Sequence, residues 1–298
     1  MPTAILGRTG LEVTRLGFGT ALNGPDRPDL TPEVMGRLLN AVLDSGINFL
    51  DTSYDYVDSE EDIGRSLSHR YSEFHLATKF GCTDTLPGRN NSIHVWTRDN
   101  LLRGLRVSLE RLKRDSVDIV QLHNATVDEF DSQDMVDPMV ELRRQGKVRW
   151  IGVSPTLPDL PTYLSWGLFD VFQVPYSALE REHEEWITKI GEAGAGVIIR
   201  GGIAQGVPGP DSNRADKWAA FEKAGLDDLR EERESRSAFV LRFTLTHPYA
   251  HTIVVGTTNL DHLRENVEAV LKGPLDDGVY REAKRRLDSI GESPAPAA

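Results

Sequence analysis

Three successive apolar runs of the sequence each end in a side chain that can take part in acid–base chemistry. Asp51 ends "INFLD", Lys79 ends "HLATK" and His123 ends "VDIVQLH". Short apolar, β-branched runs are typical of buried strands. If the runs form neighbouring parallel strands, which lie about 5 Å apart, the three side chains converge on one small volume. A lysine beside a carboxylate stays protonated, and its charge lowers the pKa of a nearby phenol, which can then exchange a proton near neutral pH.

The phenol itself must come from "NFLDTSYDYVDSEEDIG", residues 48–64, which contains Tyr54 and Tyr56. Taken singly, the three strand-end residues also have ordinary structural explanations. Asp51 can cap a turn, Lys79 can extend to solvent and His123 can be a hydrogen-bonded core histidine. Their convergence at one end of three strands makes coincidence the harder explanation.

Positioning these residues requires a regular succession of strands and helices. Eight strands are predicted, at residues 15–19, 47–51, 75–79, 117–123, 148–154, 171–175, 196–200 and 252–256. Helical spacing or capping signals predict helices at 31–46, 60–68, 97–112, 134–145, 157–166, 183–193, 235–246 and 259–271. This alternation predicts a single (β/α)8 TIM barrel over residues 1–298. A doubly wound sheet is the alternative, although no predicted strand leads into G-x-G-x-x-G.

The ends and two long connections complete the predicted domain. Residues 1–14 are predicted to form an N-terminal hairpin, and the tail 291–298, "GESPAPAA", is predicted to be disordered. Long connections follow the third and seventh strands, "FGCTDTLPGRNNSIHVW" and "GGIAQGVPGPDSNRADKWAAFEKAGLDDL". Both leave the C-terminal ends of strands, where barrel active sites are built.

Composition excludes several classes of partner. A formal net charge of −12 disfavours nucleic acid and anionic membrane surfaces. The N-terminus lacks a signal-peptide pattern, and no apolar run of about 18 residues predicts a membrane span. Cys82 is the single cysteine, so we expect no disulfide, no cysteine-based zinc cluster and no metal, and we expect a cytoplasmic protein.

Segments along nearly the whole chain resemble the aldo-keto reductases, in the family's order. They are "LGFGT", "INFLDTSYDY", "ATKF", "SLERLKRDSVDIVQLH", "GKVRWIGVS", "FQVPYSALER" and "GTTNLDHLRENV". The resemblance implies a (β/α)8 barrel with a hairpin over its bottom that reduces an aldehyde or ketone with NAD(P)H. The family's catalytic aspartate and tyrosine are five positions apart, which selects Tyr56. By this resemblance Tyr56 is the general acid, Lys79 lowers its pKa, Asp51 holds Lys79, and His123 orients the carbonyl.

The resemblance also implies a nicotinamide cofactor, NADPH with NADH possible, bound without a Rossmann fold. Gln173 and Ser154 match contacts to the carboxamide, and Tyr176 matches the aromatic that stacks on the nicotinamide ring. The expected cofactor contacts are Gly19, Thr20, Ser154, Gln173, Tyr176, Arg200, Gly201, Ile203, Gln205, Gly256, Thr257, Thr258, His262, Glu265 and Asn266. Read independently, "VVGTTNLDHLRENV" is a strand, a turn and a helix whose N-terminus can bind an anion, although capping by Thr258 or Asn259 would also explain it.

The chain departs from the family pattern at several of these positions. Pro155 replaces an asparagine that holds the nicotinamide amide, and Gly256 and His262 replace the lysine and arginine that grip the 2′-phosphate in NADPH-dependent members. Arg200 could pair with a phosphate, with a substrate carboxylate, or within an ion pair at the barrel rim. Ala21 replaces a tryptophan and opens the substrate pocket.

His94 and Trp96 are expected to line the pocket opened by Ala21, although a surface histidine and a residue at a helix entry would explain them equally well. Two other functions compete with the reduction of a small-molecule carbonyl substrate. Lys79 could form a Schiff base in an aldolase, but Asp51 would keep it protonated. A non-catalytic subunit could sense the nicotinamide redox state. The expected assembly is a monomer or a small homo-oligomer.

Overall fold

A computed structural model of the chain describes residues 1–22, 27, 29–82, 94–130, 132–206 and 215–297, without the side chains of 132–134, 215 and 216. Two short strands, β1 and β2, form an antiparallel hairpin, and eight further strands form a closed barrel of parallel strands. The strands are β1 Thr3–Ile5, β2 Glu12–Thr14, β3 Leu16–Gly19, β4 Phe49–Asp51, β5 His75–Phe80, β6 Val117–His123, β7 Val148–Ser154, β8 Val171–Pro175, β9 Gly196–Arg200 and β10 Thr252–Val255. The predicted barrel is therefore confirmed.

Helices surround this barrel. They are α1 Pro32–Asp44, α2 Ser59–Ser66, α3 Arg98–Leu112, α4 Ser132–Arg144, α5 Leu160–Ser165, α6 Glu184–Glu192, α7 Ala215–Lys223, α8 Arg236–Thr246, α9 Leu260–Lys272 and α10 Asp277–Ser289. Their start signals are local: Thr31 accepts a hydrogen bond from the Val34 amide at the N-terminus of α1, as Ser235 does from the Ala238 amide at α8. Within the described residues, no helix is both long and apolar enough to cross a membrane.

Strand alternation decides which side chains point into the barrel. Phe49, Ala77 and Ile119 belong to the small apolar cluster inside the barrel, separate from the larger core between strands and helices. Because side chains alternate along a strand, the residue two positions beyond each of them faces the same way. Asp51, at the C-terminal end of β4, and Lys79, on β5, therefore point inward at the C-terminal end of the barrel.

The hairpin closes the opposite end of the barrel. Leu6, Leu11 and Val13 join the inner apolar cluster, and Leu6 is fully buried. Gly7 has φ +49° and lies so close to β9 that an added Cβ would be 2.3 Å from the Gly196 nitrogen. This contact explains why glycine is required at the turn.

Three features differ from the sequence-based expectations. The strand–helix alternation has no place for α7, which lies inside the long connection after β9, or for α10, which follows α9 directly. The tail was expected to be disordered, but residues 291–297 lie against α6 and the turn before it. The Ala295 amide donates to the Glu182 carbonyl, and the Ala297 amide donates to Glu185. Ala298 and residues 83–93 and 207–214 of the two long connections lie outside the described residues.

Candidate active site

A buried ion pair lies at the C-terminal end of the barrel. Lys79 Nζ donates to Asp51 Oδ2 at 2.6 Å and to the Thr52 carbonyl at 2.9 Å, and the Lys79 side chain is 1% exposed. Burial acts to lower the pKa of Lys79, but the adjacent Asp51 carboxylate outweighs it and holds that pKa above its ordinary value. Lys79 is therefore a permanent cation at neutral pH.

The second oxygen of Asp51 accepts hydrogen bonds from two glutamine amides. Gln121 Nε2 donates to Asp51 Oδ1 at 3.0 Å, and Gln173 Nε2 donates to the same oxygen at 2.9 Å. The side-chain hydrogen bonds to the Asp51 carboxylate thus come from the N–H groups of Lys79, Gln121 and Gln173. These contacts fix the orientation of the carboxylate and hence the position of Lys79.

Tyr56 lies beside this pair and lines a cavity together with Asp51. Lys79 Nζ is 4.8 Å from the centroid of the Tyr56 ring, and the His123 ring packs edge-on against it at 5.8 Å. Burial raises the pKa of the Tyr56 phenol, and the opposing charge of Lys79 does not compensate. Lys79 thus acts to lower this pKa, as expected, but the larger effect of burial makes the net shift upward.

His123 is the centre of a second polar group. Its Nδ1 lies 3.1 Å from Cys82 Sγ, 3.4 Å from Asp55 Oδ1 and 3.4 Å from Ser53 Oγ. Asp55 is buried and accepts a hydrogen bond from the Ser53 hydroxyl. The Asp55 carboxylate therefore faces the histidine and belongs to this polar group.

Tyr54, by contrast, packs in the loop and does not line the cavity beside Tyr56. It is 3% exposed, its hydroxyl accepts from Arg103 Nη1 at 3.2 Å, and the Arg111 guanidinium lies over its ring at 4.8 Å. Tyr54 therefore serves the structure of the loop, and it points to α3 rather than to Lys79.

The cavity beside Tyr56 has a volume of about 280 Å³ and reaches the ends of β3, β9 and β10. Arg200 ends β9 and faces this cavity, because Ile198, two positions earlier, points into the barrel. Arg200 Nε is buried and has no hydrogen-bond partner among the described residues. Burial lowers the pKa of Arg200, yet a guanidinium keeps its charge in proteins, so the cavity wall carries a cation with an unused donor.

A second cavity, of about 440 Å³, continues the first toward the N-terminus of α9, and Ile203, Gln205 and Gly256 line both. We name the two cavities together the rim groove. Of the expected cofactor and substrate residues, the following line it: Gly19, Ala21, Gln173, Arg200, Gly201, Ile203, Gln205, Gly256, Thr257, His262, Glu265 and Asn266. Together they extend from the side of Tyr56 to the first turns of α9.

Tyr176 does not belong to the rim groove, contrary to the expectation that it stacks on the cofactor. It is fully buried in the outer core, and its hydroxyl lies 3.1 Å from that of Tyr280 on α10. Phe172 and Val174, at alternate positions before it, also face that core. Alternation along β8 therefore turns Tyr176 away from the site and Gln173 toward it.

Three other expected contacts also lie outside the lining of the groove. Thr20 is buried and its amide donates to the Asp51 carbonyl, Ser154 is buried beside His123 in the strand register, and Thr258 accepts a hydrogen bond from Arg27. Two expected substrate residues, His94 and Trp96, lie on the far side of His123. Their rings stack at 5.5 Å, and the His94 ring meets His123 at 5.2 Å.

Sequence reasoning missed several residues of the site. Gln121 lies two positions before His123 on β6, so alternation places both side chains on the same side of the strand. The contact of Gln121 with Asp51 could have been inferred from this spacing. The groove is also lined by residues that carried no sequence signal: Leu22, Gly202, Gly206, Ser235, Ser237, Val254 and Val255. The two serines belong to the start of α8, which the sequence alone did not bring near α9.

The lining of the rim groove has chemistry that suits the phosphates of a dinucleotide. Four glycines line its first cavity, so a ligand can approach the backbone closely. The unpartnered Arg200 Nε suits a phosphate oxygen, and the N-terminus of α9, capped by Asn259, adds a favourable field for an anion. Gln173 contributes an amide at the end of the groove nearest Tyr56. These residues would hold such a cofactor with its reactive end beside the phenol.

Comparison with known proteins gives the class. The chain matches the family model described as "Aldo/keto reductase family" over residues 15–287, and it belongs to that family. The solved structure of aldo-keto reductase AKR11C1 from Bacillus halodurans, in its holo form, is similar with a TM-score of 0.84 and 26% identity, covering 100% of this chain and 98% of that one.

Two relatives of known name show the range within the family. L-galactose dehydrogenase of Arabidopsis thaliana is 25% identical over 96% of this chain and 93% of its own length. A putative voltage-gated potassium channel subunit beta of Schizosaccharomyces pombe is 25% identical over 97% of this chain and 93% of its own length. The chain is therefore similar both to an enzyme and to a channel subunit.

Proposed function

We propose that the protein reduces an aldehyde or ketone to an alcohol with NAD(P)H, and that Tyr56 is the general acid. One observation carries this proposal: a phenol lines a cavity beside a buried lysine that a carboxylate holds in place. Lys79 Nζ is 2.6 Å from Asp51 and 4.8 Å from the Tyr56 ring centroid. The arrangement positions a proton donor next to a permanent positive charge.

The Tyr56 phenol keeps its proton at neutral pH, so it can donate that proton to a carbonyl oxygen. Burial opposes this transfer by raising the pKa, and the Lys79 charge acts in the other direction. The Lys79 ammonium then stabilises the negative charge left on the phenol oxygen. When bound, the nicotinamide cofactor supplies the hydride. His123, edge-on to the Tyr56 ring, would donate a hydrogen bond to the carbonyl oxygen.

Within the rim groove, Arg200 would bind a phosphate of the cofactor and Gln173 its carboxamide. We keep NADPH as the expected cofactor, with NADH as the alternative. Arg27, whose guanidinium donates to Thr258 at 3.1 Å, provides a cation near the second cavity. Glu265 in the lining of that cavity opposes a 2′-phosphate, because like charges repel.

The test is a screen of carbonyl compounds with NADPH and NADH, followed at 340 nm. Tyr56→Phe should lower kcat at least about 100-fold, because it removes the transferred proton. Tyr54→Phe is the matched control, since it removes a phenol hydroxyl from the same loop that contacts Arg103 instead of the groove. Equal turnover by wild type and Tyr56→Phe would remove Tyr56 from the mechanism.

A non-catalytic, nicotinamide-sensing subunit is the second candidate, favoured by the similarity to a potassium channel subunit beta. It predicts that NADPH binds, as fluorescence titration would detect, but that no carbonyl of a broad panel is reduced. The Lys79 Schiff-base alternative loses support from the structure. A lysine whose pKa is held above its ordinary value is protonated and cannot attack a carbonyl.

The small-molecule carbonyl partner follows from the same proposal. Ala21 lines the cavity beside Tyr56, so the small side chain leaves room for a substrate there. The cytoplasmic location, predicted from the single cysteine, and the assembly as a monomer or a small homo-oligomer stay predictions.

A further inference from the structure

Four side chains with metal-binding atoms converge on the side of His123 away from the rim groove. Asp55, Cys82, His94 and His123 each offer one ligand atom, and these atoms all lie within 4.8 Å of one another. Three of the residues are buried and His94 is half-buried. They come from three separate stretches of chain: the loop after β4, the region after β5, and the end of β6.

Two of these ligands are held together by the backbone. Cys82 and His94 form an isolated antiparallel bridge, and the Val95 amide donates to the Gly81 carbonyl at 2.7 Å. Asn100 then fixes the bridge, because its Nδ2 donates to the carbonyls of Gly81, Cys82 and Val95. The thiol and the imidazole are therefore placed by the fold, and binding a ligand would cost little ordering.

The ring of His94 carries an unused group. Its Nε2 is buried and has no hydrogen-bond partner among the described residues, although buried polar atoms are usually paired. Trp96 stacks on the ring at 5.5 Å with an interplanar angle of 5°, which fixes the plane in which the nitrogens point. His94 thus has a buried, unpartnered imidazole nitrogen, and it offers one ring nitrogen within 4.8 Å of the Cys82 thiol.

We propose that Asp55, Cys82, His94 and His123 form a binding site for Zn²⁺ or another borderline divalent cation. A thiolate, two imidazoles and a carboxylate are the ligand types of tetrahedral zinc sites, whereas Mg²⁺ and Ca²⁺ prefer oxygen ligands. Bond lengths of about 2.0–2.3 Å place neighbouring ligand atoms about 3.3–3.8 Å apart in a tetrahedron. His123 Nδ1 lies 3.1 Å from Cys82 Sγ and 3.4 Å from Asp55 Oδ1, close to those spacings.

This site was not expected from the sequence, where a single cysteine argued against a zinc cluster. One cysteine is sufficient when two histidines and an aspartate complete the set. Binding itself is independent of the proposed reductase function. A further consequence rests on that function. A metal bound to Nδ1 of His123 restrains the imidazole ring, so Zn²⁺ inhibits carbonyl reduction reversibly.

Binding is tested on the full-length protein with Co²⁺ as a spectroscopic probe and with Zn²⁺ as the competitor. Tetrahedral Co²⁺ with a thiolate ligand gives intense visible bands and an ultraviolet thiolate-to-metal band, and one equivalent of Zn²⁺ should abolish both. Cys82→Ser should remove the ultraviolet band, and both Cys82→Ser and His94→Gln should weaken Zn²⁺ binding at least about tenfold. His69→Gln is the matched control, because His69 is an exposed histidine outside the cluster.

Wild-type Zn²⁺ affinity in either Cys82→Ser or His94→Gln, or a wild-type Co²⁺ complex without a thiolate band, would overturn the site. The wild-type spectrum decides the matter if a variant does not fold. Inhibition of NADPH oxidation by Zn²⁺, relieved by a chelator, tests only the consequence. Metal binding without any measurable reductase activity would contradict the proposed function and leave the metal site supported.

Discussion

Replacing Asp51 by asparagine should destabilise the barrel strongly, since the three side chains that contact its carboxylate present hydrogen-bond donors. Lys79 Nζ, Gln121 Nε2 and Gln173 Nε2 all donate to Asp51. The NH₂ group of an asparagine would face at least one of these donors, and the ammonium, on a side chain 1% exposed, would lose its counter-charge. Breaking one partner of a buried pair costs about 3–5 kcal/mol, and we expect a loss of that size.

A double-mutant cycle separates this mechanism from general damage. Lys79→Met should also cost about 3–5 kcal/mol, since it leaves the carboxylate buried without its cation, but Asp51→Asn with Lys79→Met should cost less than the sum of the two. The shortfall should be at least about 2 kcal/mol. Urea unfolding followed by circular dichroism measures all four proteins.

The unfolding free energies of wild type and of Asp51→Asn should change with pH in opposite directions. In wild type the pKa of Lys79 is raised, so its contribution to stability is complete below about 10.5, the ordinary value, and is lost as the pH rises through the folded-state pKa. In Asp51→Asn the unpaired lysine has a depressed pKa, so that variant regains stability as the pH rises toward about 10.5. The reasoning would be refuted if the stability losses of Asp51→Asn and Lys79→Met were additive in the double mutant. It would also be refuted if the difference in unfolding free energy between wild type and Asp51→Asn did not shrink at high pH.

Further predictions concern sites away from this pair. Gly81→Ala should destabilise by about 2–4 kcal/mol in urea unfolding, because φ is +102° and the new Cβ would lie 2.0 Å from a ring carbon of Trp96; an unchanged midpoint would contradict this. Burial lowers the pKa of His247 and of His251 to about 4, so the unfolded chain binds more protons below about 6.5 and each histidine should remove on the order of 2 kcal/mol of stability as the pH falls from there to about 4. His251→Asn should flatten that dependence, and a slope as steep as that of wild type would count against it. Glu265→Gln should shift the ratio of kcat/KM for NADPH over NADH toward NADPH by about two- to fivefold, and a shift toward NADH would show that the carboxylate does not face the 2′-position.

The barrel was predictable from sequence because its signals are local. Each strand is a short apolar run, and alternation along the run placed Asp51 and Lys79 on the inner face. Parallel strands end at the same edge, so the convergence of these residues needs no information about loops. The same rule, applied to β8, would have turned Tyr176 outward and identified Gln121 on β6 as a partner of Asp51.

The remaining features depend on quantities that a pattern does not contain. The pKa of Tyr56 is a balance between burial and the charge of Lys79, and residue types alone do not give the depth of burial. The cluster around His123 depends on the paths of two loops, which bring Cys82 and Asp55 to the same ring nitrogen. Loop paths follow from tertiary contacts rather than from periodicity.

The hairpin that closes the barrel also constrains the order in which the chain can fold. Leu6 packs in the inner cluster, and Arg8 Nη2 donates to the Ala193 carbonyl at 2.6 Å, across a separation of 185 residues. A contact of such separation cannot form during synthesis until the ribosome has delivered residues 193 to 196. Residues 1–14 therefore lack this packing partner while six of the eight barrel strands are synthesised. An N-terminal fusion that restrains these residues should slow the final closure of the barrel.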